Sequence, residues 1–241
     1  MKPDLITLWP IAFDYPLFRE QVVKNRQHFN KVIIVFTHNS VVRDYRTFLK
    51  ATHPDWTFCD TEHLKQKPNW YTTAINEGLK YSSSEWVLFM EQDFIYNDTF
   101  IPKFLQDIAF FSYGGLCEGK RLHFGCFAVK RYLISKTQKF FESIDTLNYS
   151  FDCFDFFTCE LQILSNMYTT LDALGFKRED DYDHLSGLTQ NYHLLDIDKP
   201  ELITGKIKLK EYNLQAINAG VQQDSIWMTQ MLRMKEVLKN D

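Results

Sequence analysis

Apolar and polar positions follow two alternating rhythms through the first hundred residues. Residues 4–12 (DLITLWPIA) form an apolar run that stops near Pro10, the pattern of a buried strand. Residues 15–29 then place Leu17, Phe18, Val22 and Val23 at helical spacing among good helix formers. KVIIVFTH, residues 31–38, is a near-continuous β-branched run, as in a parallel strand covered on both faces. The same reading predicts a helix over 42–52, a strand over 56–60 (WTFCD), a helix over 69–81 (NWYTTAINEGLKY) and a strand over 85–91. Such alternation implies βαβ units and a mostly parallel central sheet flanked by helices. Ligands of such sheets bind beyond the carboxyl ends of the strands. The 10–13 loop, His38, Asp60, Glu91 and Asp93 all fall at those ends.

Past residue 100 the rhythm weakens. A helix is expected over 100–111, and short strands between Gly114 and Val129 about a turn at Gly119, with HFGCFAVKR as the return strand. Helices are expected over 131–144 and 155–174, the second stopped by Gly175. Residues 180–191 (DDYDHLSGLTQN) read as a polar, acidic loop, and 223–239 as a final helix. Neither a repeat nor a linker interrupts the chain, so one α/β domain over residues 1–241 is expected, with an irregular C-terminal region.

Composition narrows the choices. With 241 residues, 45% of them hydrophobic and 24% charged, the chain can bury a substantial core. A net charge of −4 gives no overall pull toward nucleic acid or anionic membrane, and Lys206, Lys208 and Lys210 read as a solvated strand face. Five cysteines without CxxC spacing argue against a disulfide framework or zinc ribbon, and suggest a reducing, cytoplasmic setting. The start, MKPDLITLWPIAF, lacks a signal pattern, and no apolar run reaches bilayer-spanning length, so a soluble chain is expected. Neither GxGxxG nor GxxxxGK[ST] occurs, which counts against a Rossmann dehydrogenase or a P-loop kinase. The 21 Phe and 12 Tyr suit core packing more than a stacking surface.

The chemistry concentrates in SEWVLFMEQDFIYND, residues 84–98, where an apolar strand ends on two carboxylates. If extended geometry persists to residue 93, Glu91 and Asp93 share one face and Gln92 takes the other. Two carboxylates that close repel unless a proton or cation sits between them, and Mg²⁺ or Mn²⁺ is the natural remedy. The plainer alternative is a strand end with both acids turned to solvent.

NWYTTAINEGLKYSSSEWVLFMEQDFIYND resembles the central segment of GT-A-fold glycosyltransferases, the family-2-like group of nucleotide-diphospho-sugar transferases. Asn76, Gly78, residues 82–84, the apolar strand and Glu91-Gln92-Asp93 stand at the positions of that segment's helix, turn, strand and D-x-D motif. LHFGCFAVKRYLI is similar to the strand that flanks the family's acceptor site. The resemblance implies a GT-A-like domain, with a nucleotide-sugar-binding half over 1–98 and an acceptor-binding half over 99–241. Its activity would be metal-dependent transfer of a sugar from a nucleotide diphosphate, UDP-sugar favoured, to an acceptor hydroxyl, with Mn²⁺ or Mg²⁺.

Carried over residue by residue, Asp93 matches the metal-binding Asp of the motif. Glu91 stands where the family has Asp, and its longer side chain would serve ribose or a metal-bound water. Asp60 matches a base-reading position, Asn76 the helix of the nucleotide site, and Pro10, Ile11 and Ala12 the loop around base and ribose. SFDCFDFFTCEL departs from the family's usual Glu-Asp wording, but offers Asp155 first and Glu160 second as general base. Either Asp152 or Asp155 could equally cap a helix. His184, between Asp181 and Asp183, is the candidate to complete the metal site, ahead of His193 and His123.

Two other readings remain open: a nucleotidyltransferase, whose Gly-rich basic signature WPIAFDYP lacks, and a non-catalytic nucleotide- or sugar-binding protein. The acceptor (glycan, lipid-linked sugar, protein or modified nucleic-acid base), the stereochemical outcome and the oligomeric state are not legible.

Overall fold

A computed structural model describes residues 1–9, 16–36, 43–61, 70–92, 94–118, 121–143, 157, 161 and 164–184. Pro10, Ile11, Ala12, His38, Asp93, Asp155, Glu160 and His193, with the helix expected over 223–239, lie outside the described residues.

The first half follows the predicted alternation. Strands β1 (Asp4–Trp9), β2 (Val32–Phe36), β3 (Thr57–Asp60) and β4 (Trp86–Met90) alternate with helices α1 (Pro16–Lys24), α2 (Arg43–Thr52) and α3 (Trp70–Leu79). A short 3₁₀ turn over Arg26–His28 finishes α1's connection. β5 (Phe94–Tyr96), α4 (Phe100–Ile108), the hairpin β6 (Tyr113–Glu118) and β7 (Arg121–Lys130), α5 (Arg131–Ser143), β8 (Tyr168–Thr170) and β9 (Tyr182–His184) follow.

Seven strands form one sheet in the order β3-β2-β1-β4-β7-β6-β8, while β5 and β9 pair antiparallel in a second. In the large sheet only β7 runs against the rest. β2 and β4 are buried along their whole length, which is why their sequences show no polar alternation. Successive residues feed opposite faces. Val32, Ile34, Phe36, Leu88 and Met90 join the core with Phe18, Phe100 and Phe104. Ile33, Val35, Val87 and Phe89 join Ile75, Leu79 and Leu133 on the other side. Gly78 lets α3 sit close to that face, since a Cβ there would lie 2.7 Å from Val35 Cγ2.

β1 is described over Asp4–Trp9, and the end expected near Pro10 lies outside the described residues. Other expectations change. β4 stops at Met90, and the Phe94 N–H donates to the Glu91 carbonyl at 3.2 Å. That bond closes a turn between β4 and β5, and Asp93, on which the expected shared face depends, lies outside the described residues. The helix expected through 174 ends early: Ser165 N–H still bonds the Leu161 carbonyl, but Tyr168–Thr170 is β8, parallel to β6. Aromatic and β-branched residues there met an open sheet edge, and pairing overrode the helical spacing. Gly175, at φ 80°, closes a turn after β8 instead of stopping a long helix. Residues 182–184, expected in a loop, form β9.

Candidate functional site

The β4 carboxyl end is where the second sheet meets the first. Glu91 N–H donates to the Gly125 carbonyl at 3.1 Å, carrying the β4–β7 pairing one step past Met90↔Cys126. That register brings His123 and Gly125 of β7 alongside Glu91. The 91–94 turn then leads into β5, whose Phe94 pairs with His184 of β9. Three elements distant in sequence thus deliver one carboxylate and two imidazoles to one place.

His184 Nε2 lies 3.4 Å from Glu91 Oε2, and His123 Nδ1 lies 3.8 Å from the same oxygen. One donor atom from each of the three residues falls within 4.8 Å of the others. The imidazole rings are 4.8 Å apart between centroids. His184 is buried at 3% exposure, whereas Glu91 and His123 side chains are about a third open, at 27% and 34%. The cluster therefore has a fixed inner wall and an accessible mouth.

His184 is held by its strand neighbours. The buried Asp183 carboxylate accepts from Arg178 Nε at 2.9 Å and from the His184 N–H at 2.8 Å, and Arg178 Nη2 donates to the His184 carbonyl at 2.6 Å. Tyr182 stacks on Phe94 at 5.3 Å, anchoring β9 in the aromatic core. Gly125 supplies the room: a Cβ there would stand 3.1 Å from His184 Nε2 and Cδ2. His123 Nδ1 accepts the Gly125 N–H at 3.0 Å, which orients the ring. Oxygen and nitrogen donors converging around one carboxylate, with space left for the rings, form a donor set that fits a divalent cation.

The other predicted site residues fall elsewhere. Asp60 ends β3 and pairs with Arg46 Nη1 at 2.6 Å. The Arg46 guanidinium lies 5.1 Å from the centre of the Phe36 ring, which stacks on Phe58. Thr61 ties the ends of β2 and β3 together, giving both its N–H and its hydroxyl to the Phe36 carbonyl. Asn76 is buried on α3, its Oδ1 without a hydrogen-bond partner among the described residues. Asp60 does not belong to the Glu91 cluster. Gln92 is buried and donates to Thr7 Oγ1 at 2.9 Å, so it braces the sheet. Asp181 serves structure, accepting the Lys177 N–H at 2.8 Å.

From sequence alone His123 stands behind His184, since most lone histidines are not ligands. The signal that finds it is register: β7 runs against β4, so the H-x-G of LHFGC reaches the end of β4 together with Glu91.

A 3-2-1-4 parallel core extended by an antiparallel strand, with an acid and imidazoles at the β4 carboxyl end, defines a GT-A-type α/β domain. The model for glycosyl transferase family 2 matches residues 21–164, more than half of the chain, and the protein belongs to that family: it is a glycosyltransferase that uses a nucleotide-sugar donor. Solved structures agree on the fold. S. aureus TarS 1–349 is similar with a TM-score of 0.57 at 13% identity, over 97% of this chain and 79% of that one. The same TarS segment in complex with UDP-GlcNAc gives 0.53 at 13% identity, over 93% and 74%. A putative glucose-1-phosphate thymidylyltransferase from Bacillus anthracis, in complex with a sucrose, gives 0.50 at 11% identity, over 69% and 85%. No curated protein matches the chain in sequence. Among the described residues no helix is long and apolar enough to cross a membrane.

Proposed function

We propose that the protein moves a sugar from a nucleotide-diphosphate sugar, UDP-sugar favoured, to an acceptor hydroxyl, with a divalent cation held beside the end of β4. The observation that carries this reading is the convergence of His184 and His123 on the Glu91 carboxylate at that carboxyl edge. A UDP donor is supported by the UDP-GlcNAc bound to the structurally similar TarS.

Glu91 and His184 would hold the ion with Asp93, and His123 stands within reach. A divalent ion held there would supply charge neutralisation to a diphosphate leaving group. The chain's own residues do the rest. Glu91 turns its partly open carboxylate to the mouth, while the buried His184 keeps the inner side fixed. Asp60 at the end of β3 and the 10–12 loop after β1 are assigned to base and ribose, and Asn76 to the nucleotide side of α3. The acceptor hydroxyl gives its proton to Asp155, or to Glu160 if Asp155 caps a helix. Residues 1–98 form the donor-binding half and 99–241 the acceptor-binding half, which lends His184 and His123 to the donor's ion.

Purified protein with Mn²⁺ is expected to hydrolyse or transfer from one member of a UDP- and GDP-sugar panel. Asp93→Ala and chelation should each lower turnover at least about a hundredfold, the scale of losing a charge-stabilising group at a leaving oxygen. Full turnover in chelator would refute the metal role. Tight nucleotide binding without turnover on any acceptor would favour a binding protein on this fold. Pyrophosphate release from a nucleoside triphosphate would favour nucleotidyl transfer.

A further inference from the structure

The end of the large sheet opposite the Glu91 cluster carries a row of exposed apolar tips and cations. β1, β2, β4, β6 and β8 begin at that end, β7 finishes there, α3 ends there and α5 starts there. Backbone bonds knit the starts into one edge. Ser112 N–H donates to the Met167 carbonyl at 2.7 Å, Lys130 N–H to the Ser112 carbonyl at 3.0 Å, and Arg131 N–H to the Glu85 carbonyl at 2.7 Å. Lys31 Nζ donates to the Tyr81 carbonyl and the Ser83 hydroxyl, both at 3.0 Å. Along this edge Tyr81, Phe110, Tyr132, Met167 and Tyr168 project into solvent, Phe110 at 77% exposure. They are five of the nine large hydrophobic side chains exposed among the described residues, a concentration beyond the single scattered groups of an ordinary surface.

Charge at this edge runs against that of the whole chain. Lys2, Lys31, Lys80, Lys130, Arg131 and Lys136 outnumber Glu77, Glu85, Asp107 and the buried Asp4, although the net charge is −4. Cations and rings interleave: Lys130 Nζ lies 5.3 Å from the centre of the Trp86 ring, and Lys136 Nζ 5.6 Å from that of Tyr132. A protein interface gathers its apolar groups into a core from which lysine is depleted. Separate Tyr, Phe and Met tips set among lysines fit a plane that offers negative headgroups with hydrocarbon beneath them. We propose that this edge, where the parallel strands begin, docks the protein on the surface of an anionic lipid bilayer. The six strands from β8 to β2 give a contact about 25 Å long. The chain lies on the bilayer there, since no described helix is long and apolar enough to cross one. Docked in this way, the Glu91 cluster faces away from the bilayer, about 20 Å along the strands from the headgroups.

Flotation of the full chain with vesicles of equimolar phosphatidylglycerol and phosphatidylcholine, beside vesicles of phosphatidylcholine alone, tests this. Binding is expected to be at least about tenfold tighter to the anionic vesicles and to weaken with added salt. Lys80→Gln with Lys130→Gln should weaken it about tenfold or more. Lys103 lies over the Phe176 ring, next to Lys177 and away from this edge. Lys103→Gln with Lys177→Gln removes the same charge and should change binding less than about twofold. Phe110→Ser with Met167→Ser should weaken it about tenfold through lost apolar insertion. These side chains lie at the surface, so the variants are expected to keep the wild-type circular dichroism and melting temperature. Phe110→Trp should add emission that brominated lipid quenches beyond the wild-type level. Equal binding to both kinds of vesicle, or equal losses in the two lysine pairs, would overturn the inference. So would a chain that ignores vesicles and forms a dimer that Phe110→Ser with Met167→Ser takes apart, which assigns the edge to a second copy.

Discussion

Asp4 lies at the far end of the sheet from the Glu91 cluster, and it fixes how β1 meets β4. Its buried carboxylate accepts Asn30 Nδ2 at 2.7 Å, the Ser82 hydroxyl at 2.8 Å, the Ser83 and Ser84 N–H groups at 2.6 and 2.8 Å, and the Ser84 hydroxyl at 3.0 Å. Burial pushes its pKa up, but the bonds from Ser84, Ser83, Asn30 and Ser82 outweigh that and hold it below the usual carboxylate range. A carboxylate depressed in the folded state stabilises the fold above its unfolded pKa, roughly 3.9, and that stability is lost as pH falls through the folded value. Asp4→Asn should therefore cost about 1–3 kcal/mol in urea unfolding at pH 7, because donors built for a carboxylate lose an acceptor. The gap to wild type should narrow as the pH drops below about 4. Parallel acid curves for the two proteins would contradict this. The serine turn itself was legible as SSS before an apolar strand, but its acceptor was not, since Asp4 sits 78 residues earlier than Ser82. Glu91 is legible as an acid at a strand's end, and His184 as a position the family resemblance implies. His123 needed the β4–β7 register, which no local pattern encodes.

At the scale of elements, length separates what the sequence revealed from what it hid. β1 to β4 are four to six residues of mostly apolar or β-branched chain, and the full burial of β2 and β4 leaves the strongest signal. β8 and β9 are three residues each and acquire strand form only by pairing with β6 and β5. β9 is the element on which the site depends, and Arg178 is its clamp. Arg178→Ala removes the fork onto the Asp183 carboxylate and the His184 carbonyl. Mn²⁺ affinity is expected to fall about tenfold, as when an outer partner of a metal ligand is lost, with Arg178→Lys restoring part of it. Unchanged Mn²⁺ affinity in Arg178→Ala would show that β9 positions His184 without the clamp.

In the whole molecule, the four parallel strands β1 to β4 send their carboxyl ends to one edge, and the hairpin β6–β7 and the small β5–β9 sheet add His123 and His184 there. A net charge of −4 supplies no general attraction for a nucleotide diphosphate, so capture of that anion has to come from local positive charge. A divalent ion beside Glu91, as proposed above, would provide it. The most direct test is calorimetric titration of UDP into the full chain with saturating Mn²⁺ and again after chelation. UDP is expected to bind in Mn²⁺, at least about tenfold more weakly in chelator, and with a similar loss in Glu91→Gln with Mn²⁺ present. UDP binding of equal strength under all three conditions would contradict it.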